Sequence, residues 1–221
     1  LLGYDKEDTF MPTPDLITLT DPRSAAAEAY RTLRTNLMFS SVETPLKTLM
    51  LTAAAREDDK STALANLAVT FAQSGHKVIL VDSDLRQPRQ HTLWGVSGDK
   101  GLTSMMIQNS TVVEPPLIST TVDNLSLLAA GPLPPNPADL LSSRRMDEII
   151  ALLTARADYV LFDCAPVLQA SDAVVLGRKV NGVLLVVRAG SSRRDHTAQA
   201  REALERVHVR ILGAVLTNSR E

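Results

Sequence analysis

The stretch LMLTAAAREDDKSTALANLAVTFAQSGHKVILVDSDLR, residues 49–86, decides the fold. An apolar run, a polar loop, an amphipathic segment of helix length and a second apolar run ending in acids follow one another. That is the order of strand, phosphate loop, helix and strand in a nucleotide-binding α/β unit. The spacing of Leu64, Leu67, Ala68 and Phe71 predicts a helix over 61–74, with Gly75 placed to end it. Lys60, Ser61 and Thr62 stand at its start. In a P-loop of pattern G-x-x-x-x-G-K-S/T, loop and helix amides wrap the phosphates, the lysine meets the β/γ oxygens and the hydroxyl holds Mg²⁺.

The anchor of that pattern is present and its cradle is altered. Ala54 and Asp59 occupy the two glycine positions, and Arg56, Glu57, Asp58 and Asp59 fill the loop. A residue that takes positive φ, or lets a phosphate approach its backbone, is hindered by a Cβ that glycine lacks. Glu57, Asp58 and Asp59 also bring negative charge toward a polyanion. At about 6 Å and an effective dielectric of about 20, each carboxylate–phosphate charge pair costs roughly 3 kcal/mol before Mg²⁺ and solvent screening reduce it. Half of that is about a tenfold loss of affinity per carboxylate. Weak or absent ATP binding is therefore expected. Read alone, DDKST is equally an acidic turn at a helix N-terminus.

The second strand carries more chemistry. VILVDSDLRQPR, 78–89, ends in Asp82 and Asp84, which lie on the same side of an extended chain. At the carboxyl edge of a parallel sheet beside a phosphate loop, such acids can hold Mg²⁺ and accept a hydroxyl proton. YVLFD, 159–163, is another apolar strand ending in an acid, Asp163. TLMLTAA, LSLLAAG, GVLLVVRAG and RILGAVLTN read as further strands covered on both faces. Helices are expected over 24–41, 138–156 and 195–207, and the prolines of GPLPPNP, 131–137, make a rigid connection. The fold class is α/β, with a mainly parallel sheet and helices on both faces, P-loop NTPase-like.

With 221 residues, 44% of them hydrophobic, the chain can bury one substantial core. Residues 1–20 read as an N-terminal arm, placed beside a membrane, and 21–221 as one domain. A net charge of −2 gives no pull toward nucleic acid, and the Arg193–Arg194 pair is a local basic patch. The single Cys164 permits no intrachain disulfide. No apolar run reaches the ~20 residues that cross a bilayer. The opening LLGYDKEDTF lacks an initiator Met, so an upstream segment is expected. His76, His91, His196 and His208 show no metal-ligand spacing, and Trp94, Met105 and Met106 read as core or interface.

AEAYRTLRTNLMFS, the strand–loop–KST–helix unit, VILVDSDLRQPR, GVSGDKGLTSMM, GPLPPNPADLL, YVLFDCAPVLQASDA and GVLLVVRAGSSRR stand in one order. That ordered set resembles the bacterial tyrosine kinase (BY-kinase) family over about residues 20–218. The family forms the cytoplasmic domain associated with polysaccharide co-polymerases, which control capsule and exopolysaccharide chain length. The resemblance implies ATP and Mg²⁺ as cofactors. It assigns Lys60 and Ser61 to the Walker A lysine and Mg²⁺-binding hydroxyl, and puts Thr62 beside the phosphates. Asp82 and Asp84 fall to the second acidic motif, with metal and base roles, Asp163 to the Walker B acid, and Asn218 to an adenine-reading position. Glu28, Arg31 and Arg34 match the E-x-x-R-x-x-R motif through which the family assembles rings. They span about 120° of helical arc, enough to present one charged face to a neighbouring subunit. A local Glu28–Arg31 salt bridge is the plainer alternative.

The implied partners are further copies of the chain in a ring and a membrane-embedded co-polymerase segment, in cis or in trans, at the inner face of the cell membrane. Nucleic acid is not among them. Besides the loop, the tyrosines depart from the family: it phosphorylates a C-terminal cluster, whereas Tyr4, Tyr30 and Tyr159 are the tyrosines here. A tyrosine-kinase-like regulator of polysaccharide export with impaired nucleotide binding is therefore expected. A non-catalytic oligomerising module is the first alternative. A partition or cell-division ATPase ranks last, because it calls for a lysine where Ala55 stands.

Overall fold

The computed structural model describes residues 14–39, 45–56, 59–107 and 114–218. The strands are β1 (Thr48–Ala53), β2 (Val78–Asp82), β3 (Ile118–Ser119), β4 (Leu125–Leu128), β5 (Tyr159–Asp163), β6 (Gly182–Arg188) and β7 (Ile211–Thr217). All but the two-residue β3 lie where an apolar run predicts them. They form one sheet in the order β3-β4-β2-β5-β1-β6-β7, parallel at every pairing except β3 with β4.

Side chains alternate along a strand, so each strand feeds two cores. Leu49 and Leu51 of β1 enter one and Met50 the other; Leu80 and Val81 of β2 divide in the same way, as do Leu161 and Phe162 of β5. Helices α1 (Ile17–Thr20), α2 (Ala25–Phe39), α3 (Lys60–Gln73) and α4 (Gln90–Leu93) lie on the first side. Helices α5 (Leu102–Ile107), α6 (Pro137–Ser142), α7 (Arg144–Thr154), α8 (Asp172–Gly177) and α9 (Arg194–Glu205) lie on the second. α3 is buried along most of its length because it is held between the sheet and α2, and Gly75 at φ +91° ends it as its sequence predicts. The acids that end β2 and β5 come together at one edge of the sheet because Asp82 and Asp163 are register partners.

Two expectations change. The helix expected over 138–156 is two helices, α6 and α7. Ser143 between them is extended (φ −63°, ψ 157°) and its Oγ accepts from the Met146 amide, so it caps α7 rather than continuing α6. Residues 14–20 are not an arm apart from the core. Leu16 is fully buried, and Thr18 donates its N–H and its hydroxyl to Asn66 Oδ1 of α3 at 3.0 and 2.9 Å. Residues 1–13 lie outside the described residues. α4, α5 and α8 were not expected, being too short to show a period.

Asn66 also donates from Nδ2 to the Thr62 carbonyl, so it ties the segment before α2 to the first turn of α3. Asn66→Ala strands the Thr18 donors and is expected to cost about 1–3 kcal/mol in urea unfolding with an unchanged m-value. A loss under about 0.5 kcal/mol, the scale of a neutral surface change, would show that this docking does not hold the segment.

Candidate active site

The loop after β1 leads into α3 through Asp59; Glu57 and Asp58 lie outside the described residues. Asp59 sits in the left-handed region (φ 48°, ψ 27°), which is why a glycine is expected at its position. Its side chain makes no cap bond with the helix. It pairs instead with Arg188 Nη1 at 3.2 Å, at the end of β6. Both side chains are more than a third exposed (45% and 37%), so the pair adds little stability. Its effect is to set a carboxylate at the mouth of the phosphate loop.

Lys60 lines the same cleft, with its ammonium bonded to acids. Its Nζ donates to Asp163 Oδ1 at 2.8 Å and to Asp84 Oδ2 at 2.9 Å, with Ser61 Oγ at 3.5 Å. The residue is only 8% exposed. Burial alone would lower the pKa of its ammonium, but the charges of Asp163 and Asp84 and their hydrogen bonds outweigh it, so the net shift is upward. Lys60 is therefore a fixed cation inside the acid cluster.

The acids are held from several directions. Asp82 is fully buried; its Oδ2 accepts from the amides of Arg89 (3.0 Å) and Gln90 (2.9 Å), and its Oδ1 from that of Asp84 (3.3 Å). Burial first, and then the Asp163 charge, push its carboxyl up to about 8, against the pull of the Gln90 amide and Lys60. Asp84 Oδ1 accepts from the Arg86 and Gln87 amides, which folds the turn after β2 around it. Arg86 in turn grips the buried Asp172 of α8 through two bonds of 2.9 and 3.0 Å. Asp163 Oδ2 accepts from Gln90 Nε2 at 2.8 Å.

A cleft of about 200 Å³ opens over these groups, lined among others by Arg56, Asp59, Lys60, Thr62, Asp84 and Arg89. It has room for a phosphate chain but is smaller than the roughly 300–1,000 Å³ of a site enclosing a whole small ligand. Arg56 and Arg89 are exposed and line the cleft, so it carries cationic side chains as well as carboxylates. Neither Arg89 nor Gln90 had stood out in the sequence, since neither belongs to a periodic or paired pattern.

Mg²⁺ asks for hard oxygen donors, one or two carboxylates completed by phosphate and water. Ser61, Asp82 and Asp163 supply that set. Among the described residues no larger cluster of acids, histidines and cysteines converges on one point. The residues therefore fit Mg²⁺ together with a phosphate ligand, with the Lys60 ammonium now holding the place between Asp84 and Asp163. The anion side fits less well, because Asp59 occupies the left-handed position of the loop.

The remaining candidates lie apart. Asn218, left-handed at φ 54°, follows β7 and donates to the Ala189 carbonyl at 3.2 Å; it does not line the cleft. On α2, Glu28 and Arg31 pair at 2.7 Å and stay near the surface, and Arg31 also reaches the Pro22 carbonyl. Arg34 faces inward, donating to the Thr70 carbonyl of α3, with its Nε buried and unpaired. It lies on the same side of α2 as the buried Leu37, so the three residues do not share one exposed face. Cys164 is fully buried and burial pushes its thiol up, which suits packing rather than nucleophilic attack. Trp94, Met105 and Met106 are core residues. Tyr30 and Tyr159 are half-buried, the latter packed at a tilt of 44° against Phe71 with ring centroids 4.4 Å apart.

Residues 58–191 match the family model described as an AAA domain. Over 206 residues the chain is 41% identical to the tyrosine-protein kinase YwqD of Bacillus subtilis, covering 93% of this chain and 86% of that protein. It is 34% identical over 200 residues to the tyrosine-protein kinase Etk of Escherichia coli, covering 90% of this chain but 27% of Etk. Among solved structures, the chimerical protein CapA2B2 superposes with a TM-score of 0.88 at 32% identity, over 93% of this chain and 90% of that one. The Etk kinase domain does so at 0.85 and 32%, over 93% and 82%. The YwqD match runs over most of both sequences and the kinase-domain folds superpose over nearly all of this one, so the chain belongs to the bacterial tyrosine kinase (BY-kinase) family.

Proposed function

We propose that this domain is a tyrosine-kinase-like regulator of capsular or exopolysaccharide synthesis and export whose nucleotide binding is impaired. One observation carries the impairment: the Lys60 ammonium, which a phosphoryl-transfer site turns toward the β/γ oxygens, is bonded to Asp84 and Asp163 instead. Asp59 at the loop mouth adds a like charge against an incoming phosphate.

In the active reading, Lys60 leaves the acids and stabilises charge on the transferred phosphoryl group. Thr62 lies beside the phosphates. Ser61, Asp82 and Asp163 would hold Mg²⁺, which when bound neutralises charge on the phosphate oxygens. Asp84 is the base for the tyrosine hydroxyl, because it lines the cleft whereas Asp82 is enclosed beneath it. Asn218 is the remaining candidate for contact with the base of the nucleotide. The acceptor tyrosine comes from another chain or from outside the described residues, since Tyr30 and Tyr159 are packed in place.

Family resemblance supports a ring of like subunits, with Glu28 and Arg31 as the accessible part of the α2 motif and Arg34 bracing α2 on α3. The partner is a membrane-embedded co-polymerase segment at the inner face of the cell membrane. No described helix is long and apolar enough to cross a membrane, so the proposal assigns bilayer contact to that segment, in cis or in trans. The same sequestered Lys60 favours a second reading, a non-catalytic oligomerising module that keeps the kinase fold. Tyrosine phosphorylation of a co-expressed partner by the wild type, absent in Lys60→Ala, supports the kinase; no transfer by either, with assembly intact, supports the module.

Two outcomes follow from the loop and the acids. Restoring glycine at Ala54, Glu57 and Asp59 together is expected to tighten ATP by about tenfold for each carboxylate removed, measured by fluorescence with a labelled nucleotide. Unchanged affinity would clear the loop of blame. Asp82 has a folded pKa of about 8 against an ordinary 3.8, so the folded state holds the extra proton between those values. Metal-free stability should accordingly fall as pH rises from about 5 to 8, and fall less in Asp82→Asn. Mg²⁺ should bind more tightly at pH 8 than at pH 6, as the competing proton leaves. Identical pH slopes for the two proteins in thermal melts would refute the assignment.

A further inference from the structure

One buried side chain beside the acids has no part in the chemistry above. Gln90 opens α4 and is fully buried. Its backbone N–H donates to Asp82 Oδ2 at 2.9 Å. Its Nε2 donates to Asp163 Oδ2 at 2.8 Å and to the Ser61 carbonyl at 3.0 Å, and its Oε1 accepts from Trp94 Nε1 at 3.3 Å. A single residue thus touches both facing carboxylates and the main chain of the Ser61 position.

The amide can stand only one way round. Reversed, its oxygen would face Asp163 Oδ2 and the Ser61 carbonyl, both acceptors, and its NH₂ would face the indole N–H, a donor. An apolar side chain would fill the volume without the desolvation cost of an amide. What the glutamine adds is the fixed rotation of Asp163: with Oδ2 taken by Gln90, the carboxylate presents its other oxygen, Oδ1, to Lys60 and to whatever cation replaces it. A carboxylate offering one oxygen suits the strict octahedral demand of Mg²⁺.

We infer that Gln90 is a positioning residue for the divalent-cation site, that it sets Asp163 through its side chain and Asp82 through its amide, and that Trp94 locks it in place and reports on the cation. The inference rests on the kinase reading only for the identity of the cation. Groups that orient metal ligands in this way are typically worth 10–100-fold in metal affinity. The chain has one tryptophan, so its emission belongs to Trp94 alone.

The test uses Mn²⁺ alone, titrated by electron paramagnetic resonance into the metal-stripped chain, and Mg²⁺ alone, followed by tryptophan emission. Gln90→Met is expected to weaken Mn²⁺ at least about tenfold while leaving the far-UV circular dichroism of the metal-free protein unchanged. Trp94→Phe should give a smaller loss. Mg²⁺ should shift Trp94 emission in the wild type and not in Gln90→Met. Equal Mn²⁺ affinity in Gln90→Met and wild type overturns the inference. If Gln90→Met does not fold, a wild type that binds Mn²⁺ with no Mg²⁺-dependent change in emission overturns it as well. Mn²⁺ binding by a protein that transfers no phosphate to tyrosine would sink the kinase reading and leave Gln90 its role; no Mn²⁺ binding by the wild type would overturn the inference and leave the kinase reading to its own test.

Discussion

One ammonium group set between two carboxylates organises this site. Lys60 is almost fully enclosed, and its two partners, Asp84 and Asp163, come from positions 24 and 103 residues further along the chain. The parallel register of β2 with β5 sets Asp82 and Asp163 side by side, so without a cation this edge of the sheet would hold closely packed negative charge. The upward shift of Asp82 follows from that crowding: burial, and then the neighbouring Asp163 charge, push its carboxyl up against the pull of the Gln90 amide and Lys60. Removing one partner of such a buried pair typically costs roughly 3–5 kcal/mol, so the arrangement is firm.

In the proposed reading, that firmness works against nucleotide binding. A phosphate chain entering the cleft draws Lys60 from both acids, and Asp84 and Asp163 then face the polyanion uncompensated. A divalent cation in that place would offset the acids that a phosphate chain otherwise meets, so metal is expected to help nucleotide bind. Asp59 sharpens the conflict at the entrance, and Arg56 and Arg89 relieve part of it with charge that amides would supply in a glycine-rich loop. The kinase fold is intact, and in the proposed reading the restraint on nucleotide lies in how the charges are already satisfied.

The strands were legible because each is an apolar run of strand length bounded by polar or turn residues, and the helix after Lys60 because its leucines repeat at 3.6. The positive φ of Asp59 was legible in outline, since the pattern calls for glycine there. The direction of Lys60 was not. Sequence order assigns it to a phosphate, while its acid partners are fixed by strand register across the sheet. The E-x-x-R-x-x-R spacing puts Arg34 on one charged face with Glu28 and Arg31, yet the packing of α2 on α3 turns it to the Thr70 carbonyl. Gln90 carried no signal, because its meaning depends on a carboxylate 73 residues away. The segment 14–20 looked like an arm because four residues of α1 are too few to show a period.

The claim that Lys60 is withheld from phosphate by its own acids is tested most directly by calorimetry of Mg²⁺-ATP with the wild type and with Asp84→Asn, which removes one of the two competing charges. The account predicts a wild-type Kd weaker than about 100 μM, and a variant at least about tenfold tighter, a gain of about 1.4 kcal/mol. Micromolar binding by the wild type, unchanged or weakened in Asp84→Asn, would contradict it.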